Sequence, residues 1–172
     1  MLVRRATEDD ADGIEHVRTE TWRATYRGLL PDALIDALRT NVEVRRERLR
    51  SQPPEQLAYV AEVDGRVVGY AFGGPERTKD PEYRGEIYAI YVLPSEQGRG
   101  HGRALIRECA RVLADRGLTT LLIWVLRENE IGCRFYERLG GAPVRERPLT
   151  EIPGAEGHVE IGYGWLDTSR LR

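Results

Sequence analysis

The chain has 172 residues, 31% of them charged, and a formal net charge of −2 at pH 7. This length suits one domain over residues 1–172, large enough to bury a core without disulfide or metal staples. The balanced charge argues against a nucleic-acid binder, since those proteins present a basic surface.

The lengths of apolar runs and the spacing of the cysteines indicate the compartment and whether a metal is bound. No apolar run approaches the ~18 residues of a membrane span, so we expect no membrane partner. The acidic start MLVRRATEDD does not resemble a signal peptide. Cys109 and Cys133 have no zinc-like spacing. We therefore expect a cytoplasmic protein without a metal.

Hydrophobic periodicity and turn residues predict the elements of the first half. In chain order these are a strand over 2–6, a helix over 7–24, a helix over 31–49, and strands over 57–63 and 66–72. Thr7 is a helix cap and Pro31 suits a first helical position. Asp64-Gly65 predicts a tight hairpin between the two strands.

The second half alternates strands with helices. It is predicted to contain a strand over 85–93, a helix over 103–117, a strand over 118–126, a helix over 129–139, and strands over 142–147 and 158–166. The order is β-α-α-β-β-β-α-β-α-β-β. It predicts an α/β domain whose mixed, mostly antiparallel sheet is flanked by helices.

Three glycines separate the strand over 85–93 from the next helix, in EQGRGHGR. The spacing is not the GxGxxG of dinucleotide folds, and no lysine completes a nucleotide P-loop. A surface turn is the plain alternative. A loop whose backbone N–H groups converge on a pyrophosphate explains the glycines better, because a helix start follows directly.

Two motifs together resemble the GNAT superfamily of acyl-CoA-dependent N-acetyltransferases. The first is Gln97-x-x-Gly100-x-Gly102 after a strand ending Ile90-Tyr91-Val92. The second is the helix carrying Asn129, Phe135, Tyr136, Leu139 and Gly140. The predicted element order matches that family from end to end.

The resemblance implies that acetyl-CoA is the co-substrate and that its pantetheine inserts between the strands over 85–93 and 118–126. Main-chain groups of Ile90, Tyr91 and Val92 would bind pantetheine and the acetyl group, with an N–H near Tyr91 or Val92 stabilising the oxyanion. The pyrophosphate residues would be Gln97, Gly98, Arg99, Gly100, His101, Gly102 and Arg103. His101 is interpreted as a spacer or phosphate neighbour. Asn129 would bind pantetheine or cap its helix.

Tyr136 is the candidate general acid that protonates the departing thiolate, a role common in the family. It lies on the same predicted helix face as Asn129 and Cys133, whereas Ile131, Phe135 and Leu139 form a stripe predicted to face the core. A packed aromatic residue is the alternative for Tyr136. Cys133 is interpreted as an apolar filler without a histidine partner.

Glu86 is the candidate base, because some family members use an acid at the start of this strand, often through a water. Alternation predicts that it shares a face with Tyr88, Ile90 and Val92. A solvated strand-end glutamate is the alternative. Other members place a base five residues before the asparagine, where this chain has Trp124.

The acceptor is expected to be a small-molecule or peptide amine. Trp22 and Tyr26 share a helix face and would line its pocket or staple two helices, and Tyr83 is a further candidate contact. A homodimer is left open, because the last hairpin offers an edge strand. The rival functions are a non-catalytic acyl-CoA-binding module and an NAD- or ATP-dependent enzyme.

Overall fold

The computed structural model describes residues 1–150 and 152–171. Seven strands form one sheet in the order β1-β2-β3-β4-β5-β7-β6. The strands are β1 Leu2–Arg5, β2 Leu57–Val63, β3 Arg66–Pro75, β4 Gly85–Val92, β5 Leu121–Leu126, β6 Ala142–Pro148 and β7 Val159–Trp165. Only β4 and β5 pair in parallel, so the mixed, mostly antiparallel sheet is confirmed.

The helices are α1 Ala11–Tyr26, α2 Asp32–Asp36, α3 Val42–Arg50, α4 His101–Asp115 and α5 Glu130–Arg138. The predicted single helix over 31–49 is wrong, because α2 and α3 divide this segment. Asn41 caps α3 through Oδ1, which accepts the Val44 N–H at 3.2 Å. Its own N–H donates to Glu15 Oε2 at 3.0 Å. Asparagine favours such caps over helix interiors, so a new helix starts here.

Each face of the sheet carries its own core cluster. On one face the α4 residues Leu105, Cys109 and Leu113 pack with β5 residues such as Ile123. On the other face Ile14 and Val17 of α1 pack with Val60 and Tyr70. The sheet is therefore packed between α4 on one face and α1 on the other.

A β-bulge at Tyr88 changes which way the end of β4 faces. Gly73 opposes Ile87, but the next β3 residue, Phe72, opposes Ala89, so Tyr88 is the extra residue. The predicted regular alternation of Glu86 with Tyr88, Ile90 and Val92 is therefore wrong. Ile87, Ile90 and Val92 belong to the α4 cluster, and Ala89 and Tyr91 to the α1 cluster.

β4 and β5 separate soon after they meet. Their pairing covers only Gly85 to Ile87 on β4, opposite Leu121 to Ile123 on β5. Beyond this point β4 continues to Val92 and β5 to Leu126 without pairing to each other. The two strands thus border an opening in the middle of the sheet, called the β4–β5 gap below.

The described residues contain neither a membrane-spanning helix nor a metal-binding cluster. No helix in 1–150 or 152–171 is long and apolar enough to cross a membrane. Within the same residues, no three His, Cys, Asp or Glu side chains group in a way that could hold a metal ion.

Candidate active site

The backbone of β4 directs hydrogen-bonding groups to the β4–β5 gap. The Leu93 N–H donates to Val68 O at 2.9 Å, so these two residues form a hydrogen-bonded pair of the antiparallel ladder. Alternate residues of such a ladder direct both backbone groups to the partner. Tyr91 therefore directs its groups to β3, whereas Ile90 and Val92 direct theirs to the gap.

The glycine loop leads from β4 into the start of α4. Gly98 and Gly100 have φ angles of 76° and 88°, in the left-handed region that favours glycine. A Cβ on either would meet no atom within 4 Å, so open space lies beside this backbone. Gly100 is the N-cap of α4, and the first backbone N–H groups of that helix have no partner within it.

Gly102 has a packing role that the sequence did not predict. A Cβ there would lie 3.1 Å from Phe135 Cζ, so glycine is needed for α4 to approach α5. The His101 side chain is also turned inward: it is buried, with Nε2 3.3 Å from Glu96 Oε2 and Nδ1 beside Met1. Its backbone N–H, rather than its ring, belongs to the helix start.

Three polar side chains surround the loop. Gln97 Nε2 donates to Val92 O at 3.2 Å and so ties the loop to the end of β4. Arg99 is 63% exposed and pairs with Glu96 at 3.3 Å. Arg103 is exposed on the first turn of α4. Free N–H groups, a helix N-terminus and two outward arginines fit a pyrophosphate, because each favours negative charge.

Asn129 caps α5 as one of its two interpretations predicts. Its Oδ1 accepts the Gly132 N–H at 3.0 Å. This contact satisfies one of the orphan donors at the helix start. The cap fixes where α5 begins and therefore which side chains of α5 face the sheet.

The predicted core-facing stripe of α5 is confirmed for Phe135 and Leu139, which pack against the α4 cluster, but it is wrong for Ile131 and for the placement of Tyr136 on the opposite face. Ile131 is 68% exposed, whereas Tyr136 is 6% exposed and belongs to the core cluster on the α4 face. The Tyr136 ring packs on the rings of Tyr163 and Trp165, at centroid distances of 5.7 and 6.3 Å. These β7 aromatics, far away in sequence, rotate the helix relative to its local hydrophobic stripe.

Three phenols from separate elements are close enough to influence one another's pKa. They are Tyr26 of α1, Tyr91 of β4 and Tyr136 of α5. Burial raises the pKa of each phenol above the usual 10, and Tyr91 adds to the rise for both Tyr26 and Tyr136. All three therefore stay protonated and able to donate at neutral and mildly alkaline pH.

Glu86 is fully buried and held by one arginine. Its carboxylate accepts the backbone N–H of Arg77 at 3.1 Å, the Nε–H at 3.1 Å and the Nη2–H at 2.6 Å. The Arg77 guanidinium also stacks over the Tyr88 ring, 4.4 Å from its centroid. The Glu86 carboxylate is thus fixed in place, without direct exposure to solvent.

Sequence reasoning missed Glu160 as a site residue. Its carboxylate accepts from Arg147 Nε at 2.7 Å. Its negative charge adds to the burial-driven rise in the pKa of both Tyr26 and Tyr91. Glu160 therefore lies near both phenols. A glutamate in an ordinary edge hairpin carries no local motif, so only the folded sheet reveals it.

The candidate acceptor residues differ in their surroundings. Trp22 and Tyr26 stack edge to face at 4.9 Å and pack with Leu30 and Leu126. Tyr83 is only 3% exposed, and its ring covers Gly164, where a Cβ would lie 2.5 Å away. Trp22 and Tyr26 therefore border the end of β5. Tyr83 instead packs the loop between β3 and β4 onto β7.

The two cysteines are free thiols. Burial raises the pKa of Cys109 to about 12, and burial also raises the pKa of Cys133. Both thiols are therefore protonated at neutral pH, and a thiol is a poor nucleophile in that state. Neither cysteine has the properties of a covalent catalyst.

Comparison with known families agrees with this geometry. Residues 15–141 match the acetyltransferase (GNAT) family. The chain belongs to this family. It is 32% identical over 172 residues to the uncharacterized N-acetyltransferase YuaI of Bacillus subtilis, covering 100% of this chain and 96% of that protein.

Solved structures give the same fold. The PaiA N-acetyltransferase of Thermoplasma acidophilum, solved with coenzyme A, has a TM-score of 0.74 at 20% identity, over 95% of this chain and 96% of that chain. The yncA protein of Salmonella typhimurium, solved with its cofactor acetyl-CoA, has a TM-score of 0.73 at 22% identity, over 97% and 94%. The fold of this chain is thus that of GNAT acetyltransferases.

Proposed function

We propose that this GNAT enzyme transfers the acetyl group directly to the primary amine of a small molecule or peptide, within a ternary complex. The observation that carries the proposal is the β4–β5 gap. The glycine loop follows the β4 edge of this gap, and Tyr91 of β4 influences the phenols of Tyr26 and Tyr136. Cofactor and amine would therefore approach from the two faces of the sheet and meet at the β4–β5 gap.

The residues proposed to hold acetyl-CoA follow the backbone. Ile90 offers its gap-facing groups to the pantetheine and Val92 offers its N–H, because Val92 O already accepts from Gln97 and Thr21. Tyr91 holds this edge in register through β3. The N–H groups from Gly98 to Arg103 receive the pyrophosphate, with Arg99 and Arg103 adding charge. Acetyl-CoA, when bound, supplies an acetyl group on a thioester that an amine can attack.

Two proton movements accompany amide formation from an amine. We assign proton donation to Tyr136, whose raised pKa keeps the phenol protonated. The Val92 N–H, free of β3, is suited to stabilise the negative charge that develops on the acetyl oxygen. Glu86 is the proposed base; because Arg77 covers its carboxylate, it would act through a water.

Transfer without an acyl-enzyme is supported by the two protonated cysteines. Initial rates of CoA release, measured over a matrix of acetyl-CoA and amine concentrations, test this order of events. Double-reciprocal lines that intersect are expected for a ternary complex. Parallel lines would instead require an acyl-enzyme. Tight acetyl-CoA binding without acetylation of any amine in a broad panel would support the binding-module alternative.

Glu86→Gln tests the proposed base. The variant keeps a hydrogen-bond acceptor for Arg77 but cannot take a proton at neutral pH. We expect kcat at pH 7 to fall about 100-fold, with an unchanged KM for acetyl-CoA. The loss should shrink as pH rises, because the amine loses its proton without help near its own pKa of ~10. An equal loss at every pH would contradict this role.

We also propose a cytoplasmic location and a homodimer. The two free cysteines suit a reducing compartment. β6 is an edge strand, since its one neighbour in the sheet is β7. Light scattering of the purified protein tests the second point: a mass near twice the 19.6 kDa of one chain is expected, and 19.6 kDa would contradict it.

A further inference from the structure

The Trp124 indole nitrogen lacks a hydrogen-bond partner. Among the side-chain N and O atoms of residues 1–150 and 152–171, Trp124 Nε1 is the one that is buried without a partner. Buried donors in folded proteins are nearly always paired, with protein groups or with another molecule. The described residues provide no acceptor for the Trp124 N–H. We therefore expect a bound molecule to provide one.

Trp124 lies on the face of β5 that is opposite α4. Its neighbours Ile123 and Val125 belong to the α4 cluster, and side chains alternate along a strand. The next residue on its own face, Leu126, packs with Trp22 and Tyr26. The indole thus shares the face proposed for the amine acceptor.

The orientation of the indole follows from its contact with β7. A Cβ on Gly162 would lie 3.1 Å from Trp124 Cζ3, so the benzene end of the ring covers Gly162. Cζ3 and Nε1 are at opposite ends of an indole. The N–H is therefore at the end farthest from Gly162, and β4 has already separated from β5 at this level.

Charged groups of both signs accompany the indole. The Arg147 guanidinium stacks over the Trp124 ring, 4.1 Å from its centroid. The same guanidinium donates to Glu160 at 2.7 Å. Glu160 is close enough to Tyr26 and Tyr91 to affect both phenols. A donor, a cation and a carboxylate thus converge on one face of the sheet.

We propose that Trp124 is an acceptor-binding residue and that the acceptor is an α-amino acid. The Trp124 N–H donates to its carboxylate, Arg147 supplies the matching positive charge, and Glu160 attracts its ammonium group. The inference rests on the proposed function, which places the acceptor on this face. It goes further by naming the substrate class.

Other amine classes fit this arrangement less well. A polyamine has no oxygen to accept the Trp124 N–H and would place a second cation near Arg147. The N-terminal residue of a protein offers a neutral carbonyl in place of a carboxylate, and a guanidinium such as that of Arg147 binds a neutral carbonyl less strongly than a carboxylate. A zwitterion matches the donor, the cation and the carboxylate at once.

The indole N–H signals provide a direct test that needs no turnover. The chain has three tryptophans, so a ¹H–¹⁵N spectrum shows three indole signals, which Trp→Phe variants assign one by one. The CoA-saturated protein is titrated with L-amino acids, with their α-carboxamides and with the matching decarboxylated amines. We expect only the amino acids to shift the Trp124 signal. The Trp165 signal, whose N–H is bonded to Leu139 O at 3.0 Å, is the internal control.

A kinetic comparison completes the test. Trp124→Phe keeps an aromatic ring under Arg147 but removes the N–H. We expect kcat/KM for amino acids to fall about 10- to 100-fold, through KM of the amino acid, with an unchanged KM for acetyl-CoA. If this variant does not fold, the wild-type spectrum, assigned through the other two variants, still decides.

The outcomes separate this inference from the proposed function. A Trp124 shift with amino acids but no acetylation would refute transfer and leave the binding assignment standing. Acetylation of amines that lack a carboxylate, with an unmoved Trp124 signal, would overturn the inference and leave transfer standing. Equal shifts from acids, amides and amines would also overturn it.

Discussion

At the scale of single residues, burial keeps the phenol of Tyr136, the proposed proton donor, protonated. Burial is the largest cause of its raised pKa, followed by the nearby Tyr91 phenol. A raised pKa means that the phenol keeps its proton at pH values above the usual 10 for tyrosine. The side chain that packs the core between α5 and β7 thus keeps the proton that its proposed role requires.

Tyr136→Phe should lower kcat about 100-fold, because phenylalanine keeps the packing on Tyr163 and Trp165 but removes the proton. Acetyl-CoA affinity should stay within about twofold. In the wild type, kcat should show no descending limb between pH 7 and 10, because Tyr136 stays protonated there. A limb that falls below pH 10 and vanishes in Tyr136→Phe would contradict this role.

Single residues are also where the sequence is least informative. Tyr136 was identified through its motif, but its orientation was mispredicted, because Tyr163 and Trp165 contact it from distant positions. Glu160 and the Trp124 N–H belong to no motif. Their importance depends on Arg147 and on the side of the sheet they share, which local patterns do not specify.

At the scale of elements, the turn chemistry was predictable. Asp64 and Gly65 have φ angles of 50° and 75°, as expected of a tight hairpin turn. The bulge at Tyr88 was not predictable, because the register of β3 against β4 is set by packing on both faces. The strand-to-helix glycine loop was predictable because Gly98 and Gly100 adopt positive φ angles, which other residues rarely adopt.

Gly100→Ala and Gly117→Ala form a matched pair. Both positions have φ near +80°, at 88° and 81°, and a Cβ at either meets no atom within 4 Å. Each change should destabilise the fold by about 1–2 kcal/mol, through backbone strain alone. Only Gly100→Ala should weaken acetyl-CoA binding, by about tenfold or more, because only Gly100 lies in the proposed pyrophosphate loop. Equal affinities in calorimetry would contradict that assignment.

At the scale of the whole molecule, Glu15 joins segments that are distant in sequence. Its side chain is 3% exposed and accepts from Arg18 at 2.8 Å, from Arg45 at 2.9 Å and from the Asn41 N–H at 3.0 Å. Burial alone would raise the pKa of Glu15, but these hydrogen bonds outweigh it and lower the pKa below 4.5. The carboxylate thus holds α1 to α3 and to the junction that divides the predicted helix.

Glu15→Gln should destabilise the fold by about 3 kcal/mol at pH 7, because two arginines lose a shared buried partner. Since the folded-state pKa is lowered, this stabilisation is complete above pH ~4.5 and is lost as pH falls through the folded-state value. The difference in unfolding free energy from wild type should therefore narrow below pH 4. Glu43→Gln, at a side chain 81% exposed on α3, is the control and should change stability little.

The order of elements was the most predictable property of the molecule. Strand alternation, helix periodicity and two separated motifs all indicated the same mixed sheet, which the structure confirms. The division of 31–49 escaped prediction because it depends on Glu15, which lies 26 residues before Asn41. Long-range contacts of this kind shape the site, whereas local patterns identify the family.

Calorimetric titration of the purified protein with acetyl-CoA, with NAD and ATP as controls, tests the central claim most directly. The protein must first be shown to be folded and free of retained CoA. We expect one molecule of acetyl-CoA to bind per chain, with no heat from NAD or ATP. Absence of acetyl-CoA binding under these conditions would contradict the acetyltransferase function and leave the glycine loop as a surface turn.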